Sequence, residues 1–218
     1  MTTNCKICHT LTPPSHSQQI EIYDTVLLES QNFVVVPTVG ALVEGWLLLL
    51  PKEHFLCIGA LSNDLIIEFN EMTKLVSEIV ESCYGSVTIF EHGPSKCKEP
   101  VGCGVDHAHL HFVPIEADLI MTLSRICHKK LYWNRIDDMF DLKFYYENAQ
   151  SYLFIKQSDN DAYATTHQNL GSQLFRKAIA ETIGFPERFN WRQYPEIENV
   201  TKTVNKIREY IANIEILK

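Results

Sequence analysis

The apolar positions of this chain change period several times along its length, and the changes mark out elements. IEIYDTVLLE (20–29) and NFVVV (32–36) are β-branched-rich runs around Ser30-Gln31, which predicts two strands of a hairpin. GWLLLLPKEH (45–54) reads as a buried strand that Pro51 brings to an end. Ser62-Asn63-Asp64 is an N-cap cluster, and Leu65, Phe69, Met72, Leu75, Val76, Ile79, Val80 and Cys83 then recur every three or four residues. That spacing predicts an amphipathic helix closed by Gly85. SVTIFEHG (86–93) returns to a strand pattern, a Gly/Pro/Lys/Cys loop covers 93–104, and DHAHLHFVP (106–114) predicts the next strand.

Strands, a helix and strands again predict an α+β layer built on a mostly antiparallel sheet. Beyond about residue 117 the pattern is looser. SYLFIKQ (151–157) is expected as a strand with a turn at Ser158-Asp159-Asn160, LGSQLFRKAIAETIG (170–184) as a helix, and TKTVNKIREYIANI (201–214) as a terminal helix. The expected organisation is a core over 1–117 and a C-terminal α/β elaboration over 118–218 packed on it. Arg176, Lys177, Trp191 and Tyr194 are expected in ordinary helix packing and on solvated surface.

Composition changes little in that picture. The 218 residues are 45% hydrophobic and 21% charged, ordinary values for a globular chain. A net charge of −8 argues against a general nucleic-acid coating protein. No apolar run approaches the length of a membrane span, and MTTNCKICHTLTPP lacks the basic-then-apolar layout of a signal peptide. A cytoplasmic protein with no membrane partner is the expectation.

The chemistry is concentrated in two places. Seven cysteines without secretory features read as thiols or metal ligands. Cys57 and Cys83 lie in apolar runs and read as core residues, whereas Cys5-x-x-Cys8 sits in a polar segment where packing is no explanation. His107-Ala108-His109-Leu110-His111-Phe112 places three histidines at strict alternation. On a strand they share one face while Ala108, Leu110 and Phe112 enter the core. Such a row suits a nucleophile flanked by helpers, or His-x-His ligation of one metal. Cys5, Cys8, His54 and one histidine of the row would make a Cys2His2 set for a structural zinc, with Cys97 and Cys103 as rival ligands.

Taken together, GWLLLLPKEH, GCGVDHAHLHFVP and CKIC resemble the histidine triad superfamily of nucleotide hydrolases and transferases. Its signature His-φ-His-φ-His-φ-φ is matched by His107 to Val113, and Gly-His-apolar-Pro-Lys-x-His by Gly45 to His54, with Trp46 in place of the usual His. Phe90-Glu91-His92-Gly93 and Gly102-Cys103 also resemble the galactose-1-phosphate uridylyltransferase branch. FRKAIAETIGFPERFNWRQYPEIENVTKTV (175–204) is similar to the tail of CwfJ-like proteins, relatives linked to RNA processing.

The resemblance implies that His109 attacks an α-phosphorus to give a nucleotidyl-histidine, with His111 on the phosphoryl oxygens or leaving group. It implies zinc on Cys5, Cys8, His54 and His107. Backbone N–H groups from Gly102, Cys103 and Gly104 to Asp106 could cradle developing charge, and Lys96 and Lys98 could neutralise a polyphosphate. The uridylyltransferase branch has Gln at the place of His111, which favours hydrolysis, phosphoramidate cleavage included, over transfer.

Two departures bear on the substrate. Thr38 stands where many relatives carry a ribose-binding acid. Glu91 replaces an Asn, and its carboxylate would repel phosphate unless protonated or paired with His92 or a lysine. Two other readings stay open. One is a cupin-like enzyme with a catalytic metal on the His-x-His pair, Glu91 and His92. The other is a histidine-triad scaffold that binds RNA or protein, its catalysis altered. A homodimer paired across its sheets is the expected assembly.

Overall fold

The computed structural model describes residues 5–11, 21–99, 104–157, 161–166 and 171–216. Among the described residues, eight strands form one sheet: β1 (Leu28–Glu29), β2 (Phe33–Pro37), β3 (Leu47–Pro51), β4 (Thr88–Gly93), β5 (Leu110–Val113), β6 (Asn134–Ile136), β7 (Tyr152–Lys156) and β8 (Ala162–Thr166). Their order is β1-β2-β3-β5-β4-β7-β8-β6, and every pairing is antiparallel. The helices are α1 (Lys6–Leu11), α2 (Asn63–Tyr84), α3 (Leu119–Ile126), α4 (Leu142–Glu147), α5 (Leu174–Thr182) and α6 (Ile197–Ile216). The architecture is the expected α+β class.

Strand alternation divides the side chains between two cores. Phe33, Val35, Leu47, Leu49, Leu110, Phe112 and Phe154 face α2, where Ile66, Phe69, Val76 and Val80 meet them. Trp46, Phe90, Val113, Leu153 and Ile155 point the other way, onto Leu119 and Leu123 of α3 and Phe175 and Ile179 of α5. A smaller cluster seats Ile7 and Leu11 of α1 on Val34, Val36 and Leu50. The face opposite α2 is therefore covered by α1 at one end and α5 at the other, with a gap between them.

The Ser62 side chain accepts from Leu65 N and caps α2, and Gly85 N–H closes it on the Glu81 carbonyl. The buried stripe runs through Ile66 and Thr73, while Leu75, expected on it, is exposed. The predicted hairpin shrinks to a two-residue β1, because 22–24 forms a 3-10 turn whose Ile22 and Tyr23 pack toward the α5 core. The strand expected over 106–114 pairs only from Leu110, since Ala108 N–H donates to the Phe55 carbonyl at 2.7 Å, outside the ladder. The turn expected at 158–160 lies outside the described residues.

The second half of the chain joins the same sheet. Tyr152–Lys156 pairs along Ile89–Gly93, so β7 occupies the edge of β4. α6 reaches both cores, with Val200 in one and Ile207 in the other.

Glu91 illustrates what alternation decides. As the neighbour of His92 on β4 it faces the opposite side of the sheet, where Tyr152 OH donates to it at 2.5 Å and Ile58 N–H at 2.7 Å. Burial raises its carboxyl to about 8 despite these two donors. In the unfolded chain the value is about 4.3, so between the two the folded state binds the extra proton. Its contribution to stability is full below about pH 4.3 and is lost as pH rises toward 8. Urea unfolding at pH 5 and pH 8.5 should show wild type losing about 4 kcal/mol relative to Glu91→Gln; parallel curves would refute the assignment.

Candidate active site

The gap between α1 and α5 is a cavity whose floor is β2, β3 and β5. Val36, Leu48 and Leu50 line it, together with Ile7 and Leu11 of α1, and His109 and His111 stand in its wall. A larger hollow, about 460 Å³, lies between α2 and β6 to β8 and has none of these histidines in its lining.

The three histidines take up different partners. His109 Nδ1 donates to the carbonyl of His107 at 2.6 Å, which leaves Nε2 with its lone pair. Burial lowers the tendency of His109 to protonate, so the ring is neutral near pH 7. His111 packs against His109 with ring centroids 4.9 Å apart, is stacked on Phe90 at 4.4 Å, and accepts the Trp46 Nε1–H on its Nδ1 at 3.0 Å. Burial again, then the neighbouring His109, His92 and Arg176, hold it well below the ordinary imidazole value.

His107 belongs to a second constellation. Its Nδ1 lies 3.5 Å from both Cys5 Sγ and Cys8 Sγ, and His54 Nδ1 lies 3.4 Å from Cys8 Sγ. The four donor atoms are all within 4.8 Å of one another. A tetrahedral zinc with ordinary Zn–S and Zn–N lengths needs an S···N edge of about 3.6 Å, so the set fits. A further feature suits a metal. His107 Nε2 donates to the Pro51 carbonyl at 2.8 Å, turning Nδ1 to the thiols, and burial keeps its ring neutral by lowering it to about 4. Burial, with Cys5 beside it, pushes the Cys8 thiol up to about 11. Cys97 is exposed and outside this cluster, and Cys103 lies outside the described residues.

The remaining expected site residues are dispersed. Thr38 lines the cavity, but its hydroxyl donates to the Val39 carbonyl at 3.2 Å. His92 is buried behind His111, with Phe175 N–H donating to its Nε2 at 3.4 Å. Glu91 is on the far side of the sheet, which also removes it from any shared metal set with His92 and the His-x-His pair. Lys96 and Lys98 are exposed and do not line the cavity. Gly102 lies outside the described residues. Gly104 has φ +79 and sits so close to Arg192 that a Cβ would collide with its guanidinium.

Composition and spacing had left Arg176 on solvated surface, yet it is 1% exposed and lines the cavity. Its guanidinium stacks over Trp46 at 4.7 Å, donates from Nε to the Phe189 carbonyl at 2.9 Å, and also donates to the Gly40 carbonyl. Trp191 closes the same wall: it packs on Gly40, where φ is +74 and a Cβ would strike the Trp191 side chain. Lys6, Tyr23 and Asp24 complete the cavity from α1 and the 22–24 turn. Burial raises Asp24 above the usual carboxylate range, with Lys6 opposing.

No protein-family model matches the chain, and no curated protein does. Among solved structures it is similar to a hypothetical histidine triad nucleotide-binding protein from Sulfolobus tokodaii, at 22% identity over 52% of this chain and 71% of that one, TM-score 0.39. A hypothetical protein from Leishmania major gives 21% identity over 54% and 77%, TM-score 0.41. Yeast Ap4A phosphorylase in complex with AMP gives 13% over 74% and 64%, TM-score 0.39. Histidine triad proteins are thus among its structural neighbours. Among the described residues no helix is long and apolar enough to cross a membrane.

Proposed function

We propose that the chain is a histidine-triad nucleotide hydrolase acting through a covalent nucleotidyl-histidine on His109. The observation that carries this is the 2.6 Å hydrogen bond from His109 Nδ1 to the His107 carbonyl, which orients a neutral, buried imidazole with Nε2 as the nucleophile. Attack by Nε2 on the α-phosphorus forms a P–N bond, and the bond to the leaving group breaks with its electron pair. Water then cleaves the P–N bond and restores the ring. Residues 1–117 supply the histidine row and the metal set, and 118–218 supply the opposite wall through Arg176 and Trp191. Zinc on Cys5, Cys8, His54 and His107, when bound, ties α1 to the loop before β5 and has no part in the phosphoryl step.

Phosphorus NMR with a pooled panel of dinucleoside polyphosphates, nucleoside phosphoramidates and nucleotide sugars tests the reading. At least one compound should be consumed, and acid-quenched protein should carry a nucleotidyl adduct on the peptide holding His109. Turnover without that adduct, on any quench time, would refute the covalent route. Silence across the panel would instead favour a scaffold that binds its ligand, RNA included, without cleaving it.

A further inference from the structure

We infer that Trp46 locks His111 as a fixed hydrogen-bond donor unable to pass on its proton, so that the substrate is a phosphoanhydride and not a phosphoramidate. The substrate half of this inference rests on the hydrolase reading above. The lock itself rests on geometry alone.

An indole N–H donates and never accepts. Its 3.0 Å bond to His111 therefore assigns Nδ1 as acceptor and places the ring proton on Nε2. The ring lines the cavity, so toward a ligand it presents a donor. To release that proton while neutral, the ring would have to become an imidazolate, which no neutral solution supports. To act as an imidazolium it would need a second proton on Nδ1, where the Trp46 N–H already points.

The surroundings close the remaining routes. The Arg176 guanidinium lies over the Trp46 ring, His109 and His92 flank the imidazole, and Phe90 covers one of its faces. Trp46 is fully buried and held in a T-shaped contact with Phe90 at 6.0 Å, so the indole has no room to turn away.

This chemistry divides leaving groups. A leaving phosphate has a second pKa of about 6 and departs as an anion with the electrons of its P–O bond, needing no proton. An amine cannot depart as R–NH⁻; its nitrogen must be protonated as the P–N bond breaks, and His111 cannot supply that proton. The other cavity side chains able to give up a proton, Lys6, Tyr23 and Asp24, belong to α1 and the 22–24 turn and not to the strand bearing the nucleophile.

Two measurements on the full chain decide it. Nitrogen-15 NMR of the imidazoles, assigned by the signal missing in His111→Gln, should show His111 as the Nε2–H tautomer from pH 6 to 8. An Nδ1–H tautomer or an imidazolium in that range overturns the lock. In parallel, kcat/KM is compared for diadenosine triphosphate and adenosine 5′-phosphoramidate, which differ in the leaving group. Wild type should prefer the anhydride by about a hundredfold, the usual worth of a general acid, and Trp46→Phe or Trp46→His should narrow that gap. Comparable use of both substrates by wild type would mean another group, Asp24 first, delivers the proton, and would overturn the substrate inference. If neither compound is turned over, and the wider panel is silent too, while the Nε2–H tautomer is seen, the hydrolase reading falls and the substrate inference with it, and the lock stands; turnover of another panel member only overturns the substrate inference.

Discussion

His109→Ala should abolish turnover, by at least about 10⁴-fold in kcat, while the chain folds as before. The expectation of intact folding comes from the position of the ring. It is 7% exposed at the cavity wall, and its hydrogen bond is to a carbonyl of its own segment, so truncation enlarges a space that already exists. The cost in stability should be no more than about 1–2 kcal/mol. Steady-state kinetics beside urea unfolding separate the two effects. A variant that unfolds at the wild-type midpoint yet retains activity would show that another group attacks phosphorus. His111→Gln, by contrast, should leave a measurable rate, because that ring donates a hydrogen bond to charge and forms no bond to phosphorus.

Removing the metal set should have the largest effect on stability. α1 is six residues long and, of its own side chains, rests only Ile7 and Leu11 on the sheet. A helix of that length has no stability of its own. Cys5→Ser with Cys8→Ser should therefore cost about 4 kcal/mol and lower Tm by roughly 10 °C. Chelation of the wild-type protein should do the same. Nucleotide affinity should fall with it, since Lys6, Ile7 and Leu11 form one wall of the cavity, whereas the single-turnover rate of bound substrate should change little. Elemental analysis of the purified chain comes first: absence of stoichiometric zinc would remove this account.

Much of the site could be read from neighbouring letters. The alternation of His107, His109 and His111, the Cys5-x-x-Cys8 pair and Pro51-Lys52-Glu53-His54 are local patterns, and the structure brings the four expected donors within ligand distance. Distant groups were harder. Glu91 and His92 are adjacent on a strand, so one of them had to face away from the histidines; parity alone does not say which, and Tyr152 decides it. Arg176 lies three and four residues before Ile179 and Ala180, on the apolar stripe of α5, and a charge at such a position is the signal that a solvated reading overlooks. Tyr23 and Asp24 were hidden because β-branched neighbours suggested a long strand where the chain turns. The loose pattern over 117–150 concealed α3, α4 and β6, which are too short for periodicity to resolve.

The pairing of β7 along β4 has a further consequence. The strand that extends the histidine-bearing sheet is delivered by the same polypeptide, about sixty residues later in the chain. The edge of β4 is thereby filled, and a second copy cannot add a strand there. Assembly of the two walls of the cavity is then a first-order event whose effective concentration is set by the tether between them. The wall that carries Arg176 therefore needs no second copy to supply it.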